Sequence, residues 1–196
     1  MSTPELRAFY DEHLPVEPGR EFWVFGYGSL MWNPGFPHVE VQPAILQGYH
    51  RHFCIYSYFY RGTPECPGLV LGLDQGESCI GMAYRVPAAE RDVVLDYLFE
   101  REMISGVYHP RWVEVELKSG ETIPAATFVA DVKHEQYAGK LSKQELIAHV
   151  LQGVGSSGRC YEYLENTVGH LKALEINDPG LEELLSQVQD AMKTLP

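Results

Sequence analysis

The sequence has few basic residues and no long apolar run. Its 196 residues carry 15 Lys and Arg against 27 Asp and Glu, which gives a formal net charge of −12. Such a charge repels nucleic-acid phosphates and anionic lipid surfaces, so we expect neither nucleic-acid nor membrane partners. No stretch approaches the roughly 20 apolar residues that cross a bilayer, and the N-terminus lacks the basic and apolar regions of a signal peptide. These absences predict a cytoplasmic protein.

Cysteine is also scarce, and the cysteines form no C-x-x-C pair. The four are Cys54, Cys66, Cys79 and Cys160. Scattered cysteines fit reduced thiols better than a disulfide framework. His50, His52 and Cys54 alternate along a predicted strand, which would place three metal-ligand types on one face, but this is not one of the strong zinc spacings. We therefore expect no metal ion.

The hydrophobic pattern changes along the chain from strands to helices. The predicted strands are 22–27, 43–49, 51–60, 68–74, 79–86, 111–117 and 124–131. The predicted helices are 4–14, 88–102, 142–152, 157–174 and 179–193. Short connections between most of the strands favour antiparallel pairing. The pattern predicts an α+β fold, with an antiparallel, closed sheet and helices packed on it, in a single domain over 21–196 that follows an N-terminal extension over 1–20.

The most informative segment is a strand that ends in a glycine turn, Phe-Trp-Val-Phe-Gly-Tyr-Gly-Ser at 22–29. Glycines there permit positive φ and the close approach of another molecule. A strand followed by such a turn exposes several N–H groups, which favour an anion or a developing oxyanion. A dinucleotide fingerprint and a nucleophile elbow both need a glycine where Met31 stands, so neither motif is present at this turn. A Walker loop needs a Gly-Lys pair, which the turn also lacks. A plain hairpin turn remains the alternative interpretation.

The predicted helix over 88–102 ends with a carboxylate on its apolar side. On a helical wheel Glu102 falls between Leu95 and Leu98, whereas Glu100 lies on the far side. Burial raises the pKa of a carboxyl group toward the working range of a general base. The alternative is an ion pair with Arg101 or Arg85 at a frayed helix end.

Several motifs, in one order along the chain, resemble the ChaC-like glutathione-specific γ-glutamylcyclotransferases. They are Phe-Gly-Tyr-Gly-Ser-Leu-Met-Trp at 25–32, Gly-Tyr-x-Arg-x-Phe at 48–53, Arg-Gly-Thr-Pro-Glu-x-Pro-Gly at 61–68, Gly-x-Ala-Tyr-Arg at 81–85, Arg-Glu at 101–102, and Gly-Ser-Ser-Gly-Arg with Glu-Tyr-Leu at 155–164. The resemblance covers about 22–170. The chain departs from the family in having His52 after the Gly-Tyr-x-Arg motif, and Gly-Ser-Ser-Gly where the family has Gly-Pro-Ser-Gly.

The resemblance implies a compact, mostly antiparallel β-barrel with packed helices, and cleavage of glutathione to 5-oxoproline and cysteinylglycine. It gives Glu102 the catalytic role of general acid and base. The implied substrate-binding residues are Gly26, Tyr27, Gly28, Ser29, Leu30 and Met31, with Arg51 and Tyr163 as further candidates. Because the substrate's own α-amino group attacks its γ-carbonyl, the reaction needs no metal, nucleotide or covalent intermediate.

Two other functions remain open at this point. The same cyclisation on other γ-glutamyl amino acids or amines needs the same residues. A non-catalytic small-molecule binding module would keep the turn but would not need the acidic residue, and Glu102 is present. We therefore expect an enzyme with a small-molecule substrate, and the sequence sets no oligomeric state.

Overall fold

The structure is a computed structural model that describes residues 8–10, 12–103 and 105–194. Five strands form a closed barrel: β1 Phe22–Gly26, β2 Glu40–Ser57, β3 Gly68–Val86, β4 Tyr108–Leu117 and β5 Thr122–Ala130. The helices are α1 Arg91–Glu102, α2 Lys143–Gln152, α3 Cys160–Ala173 and α4 Pro179–Thr194. Short 3-10 turns cover Ser29–Met31 and Ala88–Glu90, and β6 Val154–Gly155 pairs with β7 Gly158–Arg159.

The strand order around the barrel is β1-β3-β2-β4-β5. β1 runs antiparallel to β3, with Phe25 opposite Ala83, and β4 runs antiparallel to β5. Pairing between β1 and β5 is parallel, with Trp23 opposite Ala125. A mostly antiparallel barrel with helices confirms the predicted fold class.

The chain divides into two units by its internal contacts. The first comprises 1–50 and 73–131, and the second comprises 51–72 and 132–196. The first unit contains β1, β4, β5 and α1, and the second contains α2, α3 and α4, which pack on one another. The single domain over 21–196 stays a prediction.

Two predicted breaks between strands do not occur. The sequence predicted separate strands at 43–49 and 51–60, and again at 68–74 and 79–86, but β2 and β3 are continuous. Gly48 takes a positive φ of 80° inside β2. A Cβ on Gly76 would stand 2.1 Å from Nδ1 of His50. Both glycines therefore serve the interior of a strand, one by its backbone conformation and one by close approach, rather than a turn.

The helix ends follow their sequence signals. Ser142 Oγ accepts from the Glu145 amide at 3.3 Å, and Glu145 Oε2 accepts from the Ser142 amide at 2.8 Å, which confirms the predicted capping box. These bonds lower the pKa of Glu145. Pro179 is the first residue of α4, as predicted. Within the described residues, no helix has the length and apolar character to cross a membrane.

The part of the N-terminal extension that the structure describes packs on α1. Residues 8–10 and 12–13 are helical, whereas 1–7 and 11, where most of the remaining helix over 4–14 was predicted, lie outside the described residues. Tyr10, Leu14 and Val16 are buried. The Tyr10 hydroxyl donates to the Leu95 carbonyl, and its ring meets that of Phe99 edge-on at 4.2 Å. Burial raises the pKa of Tyr10.

We expect Gly81→Ala to destabilise the barrel. A Cβ on Gly81 would stand 2.4 Å from the Gly26 carbonyl oxygen and 2.6 Å from the ring of Phe25, which is fully buried. Overpacking of this kind costs about 1–3 kcal/mol, and each kcal/mol lowers Tm by about 2–4 °C in a chain of this size. Differential scanning calorimetry measures the shift.

Gly169→Ala is the matched control for that substitution. Gly169 lies on the exposed side of α3, and a Cβ added there would have nothing within 4 Å. Alanine is the better helix former by about 1 kcal/mol, so Tm should stay level or rise. Equal Tm values for the two variants would contradict the close packing of Gly81 against β1.

Candidate active site

The glycine turn leads from the end of β1 into the 3-10 turn over Ser29–Met31. The Met31 amide donates to the Gly28 carbonyl at 2.9 Å, so this N–H is engaged inside the turn. The first N–H groups of a helical turn have no partner within the turn itself. The amides at the start of the 3-10 turn are therefore the ones suited to meet a ligand.

The two glycines of the turn do not use the positive φ that glycine permits. Neither Gly26 nor Gly28 is among the residues with positive φ, and Gly28 has φ −124°. Gly26 instead allows a close approach, because a Cβ there would stand 2.9 Å from Cβ of Leu30. The missing side chain lets the chain fold back tightly as it leaves β1.

Buried hydroxyl groups hold the turn from the barrel side. The Tyr84 hydroxyl on β3 donates to the Met31 carbonyl at 2.8 Å, and burial raises the pKa of Tyr84 to about 12. The Thr127 hydroxyl on β5 donates to the Phe25 carbonyl at 2.9 Å. Tyr27, Leu30 and Met31 are themselves buried. These contacts fix the backbone of the turn relative to the barrel.

Glu102 is the last residue of α1 and faces inward. Its side chain is 18% exposed, whereas Glu100 is exposed. Val94, Leu95, Leu98 and Phe99 form the buried stripe of the helix. Desolvation raises the pKa of Glu102 above its ordinary value, and Arg101 opposes this shift only in part. The C-terminal end of a helix carries partial negative charge, which acts in the same direction as desolvation.

Arg101 contacts both the carboxylate and the glycine turn. Its Nε lies 3.2 Å from Glu102 Oε1, and its Nη2 donates to Ser29 Oγ at 2.8 Å. Glu102 is therefore both buried and paired with Arg101, so the two alternatives that the sequence offered for this carboxylate occur together. The other candidate, Arg85, pairs with Glu21 and Glu40. One guanidinium thus brings the turn and Glu102 together.

Arg51 and Tyr163 belong to the second unit. Arg51 donates from Nε to Asp178 Oδ2 at 2.8 Å, and only 3% of its side chain is exposed. Asp178 also accepts from the Leu181 amide at the start of α4. Arg51 therefore stabilises the join between β2 and α4, and its substrate-binding role stays a prediction.

Tyr163 contacts Arg61, for which the sequence predicted no role. The guanidinium of Arg61 lies 5.1 Å from the centre of the Tyr163 ring, and its Nη1 donates to the Ser157 carbonyl. Arg61 occurs in the Arg-Gly-Thr-Pro motif, which indicated the family but did not indicate the contact with Tyr163. The role of Tyr163 in substrate binding stays a prediction.

Two further features of the described residues are their metal-ligating side chains and a surface cavity. No cluster of three or more His, Cys, Asp or Glu side chains within that part of the chain could hold a metal ion, and this includes His50, His52 and Cys54. A surface cavity of about 330 Å³ lies beside the N-terminal half of α1. Its lining residues include Tyr10, Arg91 and Asp96 but neither the turn nor Glu102.

A closed barrel that carries this glycine turn beside an inward-facing helical carboxylate has the fold of the γ-glutamylcyclotransferases. The chain is similar to a crystal structure of a yeast gamma-glutamyl cyclotransferase specific to glutathione, with a TM-score of 0.79 and 26% identity. The match covers 87% of this chain and 96% of that one.

The sequence profile described as "ChaC-like protein" matches residues 22–191, and the chain belongs to this family. It is 37% identical over 167 residues to the glutathione-specific gamma-glutamylcyclotransferase of Escherichia coli strain K12, which covers 85% of this chain and 72% of that protein. It is 32% identical over 200 residues to the enzyme of the same name from Schizosaccharomyces pombe, covering 91% and 97%. The resemblance predicted from the motifs is confirmed.

We expect Glu102→Gln to stabilise the protein increasingly as pH rises. A carboxyl group with a raised native pKa costs nothing below its ordinary value of 4.5, where it is protonated both folded and unfolded. The cost grows as pH rises from that value to the native pKa, because the unfolded chain then ionises while the buried group stays protonated, and above the native pKa it is constant. Glutamine keeps the shape without the charge. Urea unfolding from pH 4 to pH 8 measures the difference in unfolding free energy between variant and parent.

Glu100→Gln is the control, since it removes the same charge from an exposed position of the same helix. The Glu102→Gln difference should grow with pH more steeply than the Glu100→Gln difference. A pH-independent difference for Glu102→Gln would contradict the raised pKa.

Proposed function

We propose that the protein is a glutathione-specific γ-glutamylcyclotransferase that releases 5-oxoproline and cysteinylglycine from glutathione. The observation that carries this proposal is the inward-facing Glu102 carboxylate, joined through Arg101 to the glycine turn. Membership of the ChaC-like family and the names of the E. coli and yeast relatives support the choice of substrate. The proposed substrate is a small molecule, and the reaction draws on no metal or cofactor.

The reaction begins with the α-amino group of the γ-glutamyl moiety. This nitrogen attacks the γ-carbonyl carbon of the same molecule, and a five-membered lactam closes as the bond to the cysteinyl nitrogen breaks. Holding the folded conformer supplies part of the roughly 7–11 kcal/mol that well-oriented intramolecular reactions gain. No water is consumed, and the two products together contain every atom of the substrate.

Glu102 moves the protons in this scheme. Its carboxylate takes a proton from the α-ammonium group so that the nitrogen can attack, and the resulting acid gives a proton to the departing amine. A raised pKa suits both steps, because it makes the carboxylate a stronger base and makes the acid form easier to populate than in an ordinary carboxyl group.

The turn over 26–31 binds the γ-glutamyl moiety. The amides at the start of the 3-10 turn hold the α-carboxylate or the oxyanion that develops on the γ-carbonyl oxygen. Gly26, Gly28 and Ser29 keep this surface small, while Tyr27, Leu30 and Met31 anchor it below. Ser29 acts here as a binding residue and not as a nucleophile, since its hydroxyl accepts from Arg101.

We also propose that the enzyme works in the cytoplasm. None of the four cysteines, all of which the structure describes, forms a disulfide, and Cys54, Cys79 and Cys160 are buried. Burial raises the pKa of Cys160 to about 11, so its thiol stays protonated and unreactive at neutral pH. Thiols that form no disulfide fit a reducing compartment.

Glu102→Gln should lower kcat by about 10²–10⁴-fold, the usual contribution of a general acid–base group. Chromatographic measurement of 5-oxoproline released from glutathione reports the rate. Glu100→Gln, on the exposed side of the same helix, should turn over within about twofold of the parent. A Glu102→Gln variant as fast as the parent would show that this carboxylate does not carry the protons.

Substrate profiling separates the proposed activity from its alternatives. With glutathione, γ-glutamylalanine and a γ-glutamylamine as substrates, we expect kcat/KM to be highest for glutathione by at least about tenfold, which corresponds to roughly 1.4 kcal/mol of transition-state binding. Equal amounts of 5-oxoproline and cysteinylglycine should form. Preference for another substrate would favour the broader cyclotransferase, and ligand binding without any lactam would favour a binding module.

A further inference from the structure

The Arg101 guanidinium is surrounded by acceptors from separate parts of the first unit. Nη1 donates to the Asn33 carbonyl at 2.7 Å and to the Tyr97 hydroxyl at 2.7 Å, and Nη2 donates to Ser29 Oγ. Nε faces Glu102 Oε1. Arginine offers five N–H groups in a rigid plane, so these partners are held in one fixed arrangement.

The loop that follows the glycine turn is packed against the same part of α1. Gly35 has a φ of 72°, and a Cβ there would stand 2.0 Å from the Tyr97 hydroxyl oxygen. The Arg101 guanidinium lies 5.9 Å from the centre of the Tyr97 ring. The loop can approach so closely only because residue 35 is glycine, and the approach places the Asn33 carbonyl against Arg101.

Arg101 is also the source of the charge that acts on Glu102. Among the described residues, the Coulombic effect on the Glu102 carboxyl comes from Arg101. Glu100 and Asp96 of the same helix act on Tyr10 instead, and Arg85 of β3 pairs with Glu21 and Glu40. One side chain thus contacts the carboxylate and offsets part of the effect that burial has on its pKa.

We propose that Arg101 is the positioning residue that fixes the Glu102 carboxylate against the glycine turn over 26–31. This inference rests on the proposed function, because it matters for catalysis only if Glu102 moves the protons. The Nε contact orients the carboxylate, and the contacts of Nη1 and Nη2 keep the turn and the following loop at a constant distance from it.

The proposal separates two contributions of Arg101, its charge and its planar fork of donors. Arg101→Gln removes both, and Arg101→Lys keeps the charge but presents one ammonium group in place of the fork. For Arg101→Gln we expect kcat at pH 7 to fall by about 10- to 100-fold. We also expect the acid limb of the kcat/KM profile to move to higher pH, because loss of the neighbouring cation leaves the Glu102 carboxylate harder to ionise.

For Arg101→Lys we expect the acid limb to stay near that of the parent while kcat falls. KM for glutathione should change less than kcat in both variants, because Arg101 contacts the Glu102 carboxylate directly and reaches the substrate-binding turn only through the Ser29 side chain. Arg111→Gln is the control, since it removes the same charge from an exposed position of β4 and should leave the pH profile unchanged.

The proposal is tested by steady-state rates of 5-oxoproline formation between pH 5 and pH 9, together with Tm for each variant. If Arg101→Gln lowers Tm and kcat but leaves the acid limb in place, the residue is only structural and the proposal is overturned. The same holds if Arg101→Gln keeps the parent kcat. Glu102→Gln, assayed alongside, distinguishes this failure from a failure of the proposed function, because an active Glu102→Gln variant would overturn the role of Glu102 itself.

Discussion

The burial of one carboxylate at the end of α1 is the constraint on which the site depends. Glu102 lies where the helix has negative partial charge and where little water remains, and both conditions oppose its ionisation. Arg101 offsets part of this cost, at 3.2 Å from Glu102 Oε1. Because the compensation is incomplete, the carboxyl keeps a raised pKa. A fully paired carboxylate would be a weaker base, and an unpaired one would be costlier to keep in the folded protein.

The barrel supplies the rigidity that such a site requires. The turn follows β1, and β1 pairs on one side with β3 and on the other with β5. Tyr84 and Thr127 donate hydrogen bonds to carbonyls at the end of this strand and in the turn. These donors come from both neighbouring strands, so the barrel holds the turn in addition to the hydrogen bonds within the turn itself.

Much of the fold could be predicted from the sequence because the signals are local. Three of these signals depend on residues within a few positions of one another. They are the strand period over 22–26, the capping box of Ser142 and Glu145, and the apolar side of α1. The breaks predicted within β2 and β3 were wrong, because both strands continue through those positions. Gly76 lies inside β3, where it closely approaches His50, and sequence spacing does not show that approach.

The sequence by itself determined the class of fold, the glycine turn after β1, and which carboxylate of α1 faces inward. Each follows from the residue types and the periodicity of neighbouring positions in the chain. Only the tertiary structure decided how the turn and Glu102 are joined. Arg101 donates a hydrogen bond to Ser29, 72 positions away in sequence, and Arg51 donates one to Asp178, 127 positions away. A side chain meets such a partner only in the folded chain, because the folded backbone, and not sequence spacing, fixes which polar groups come together.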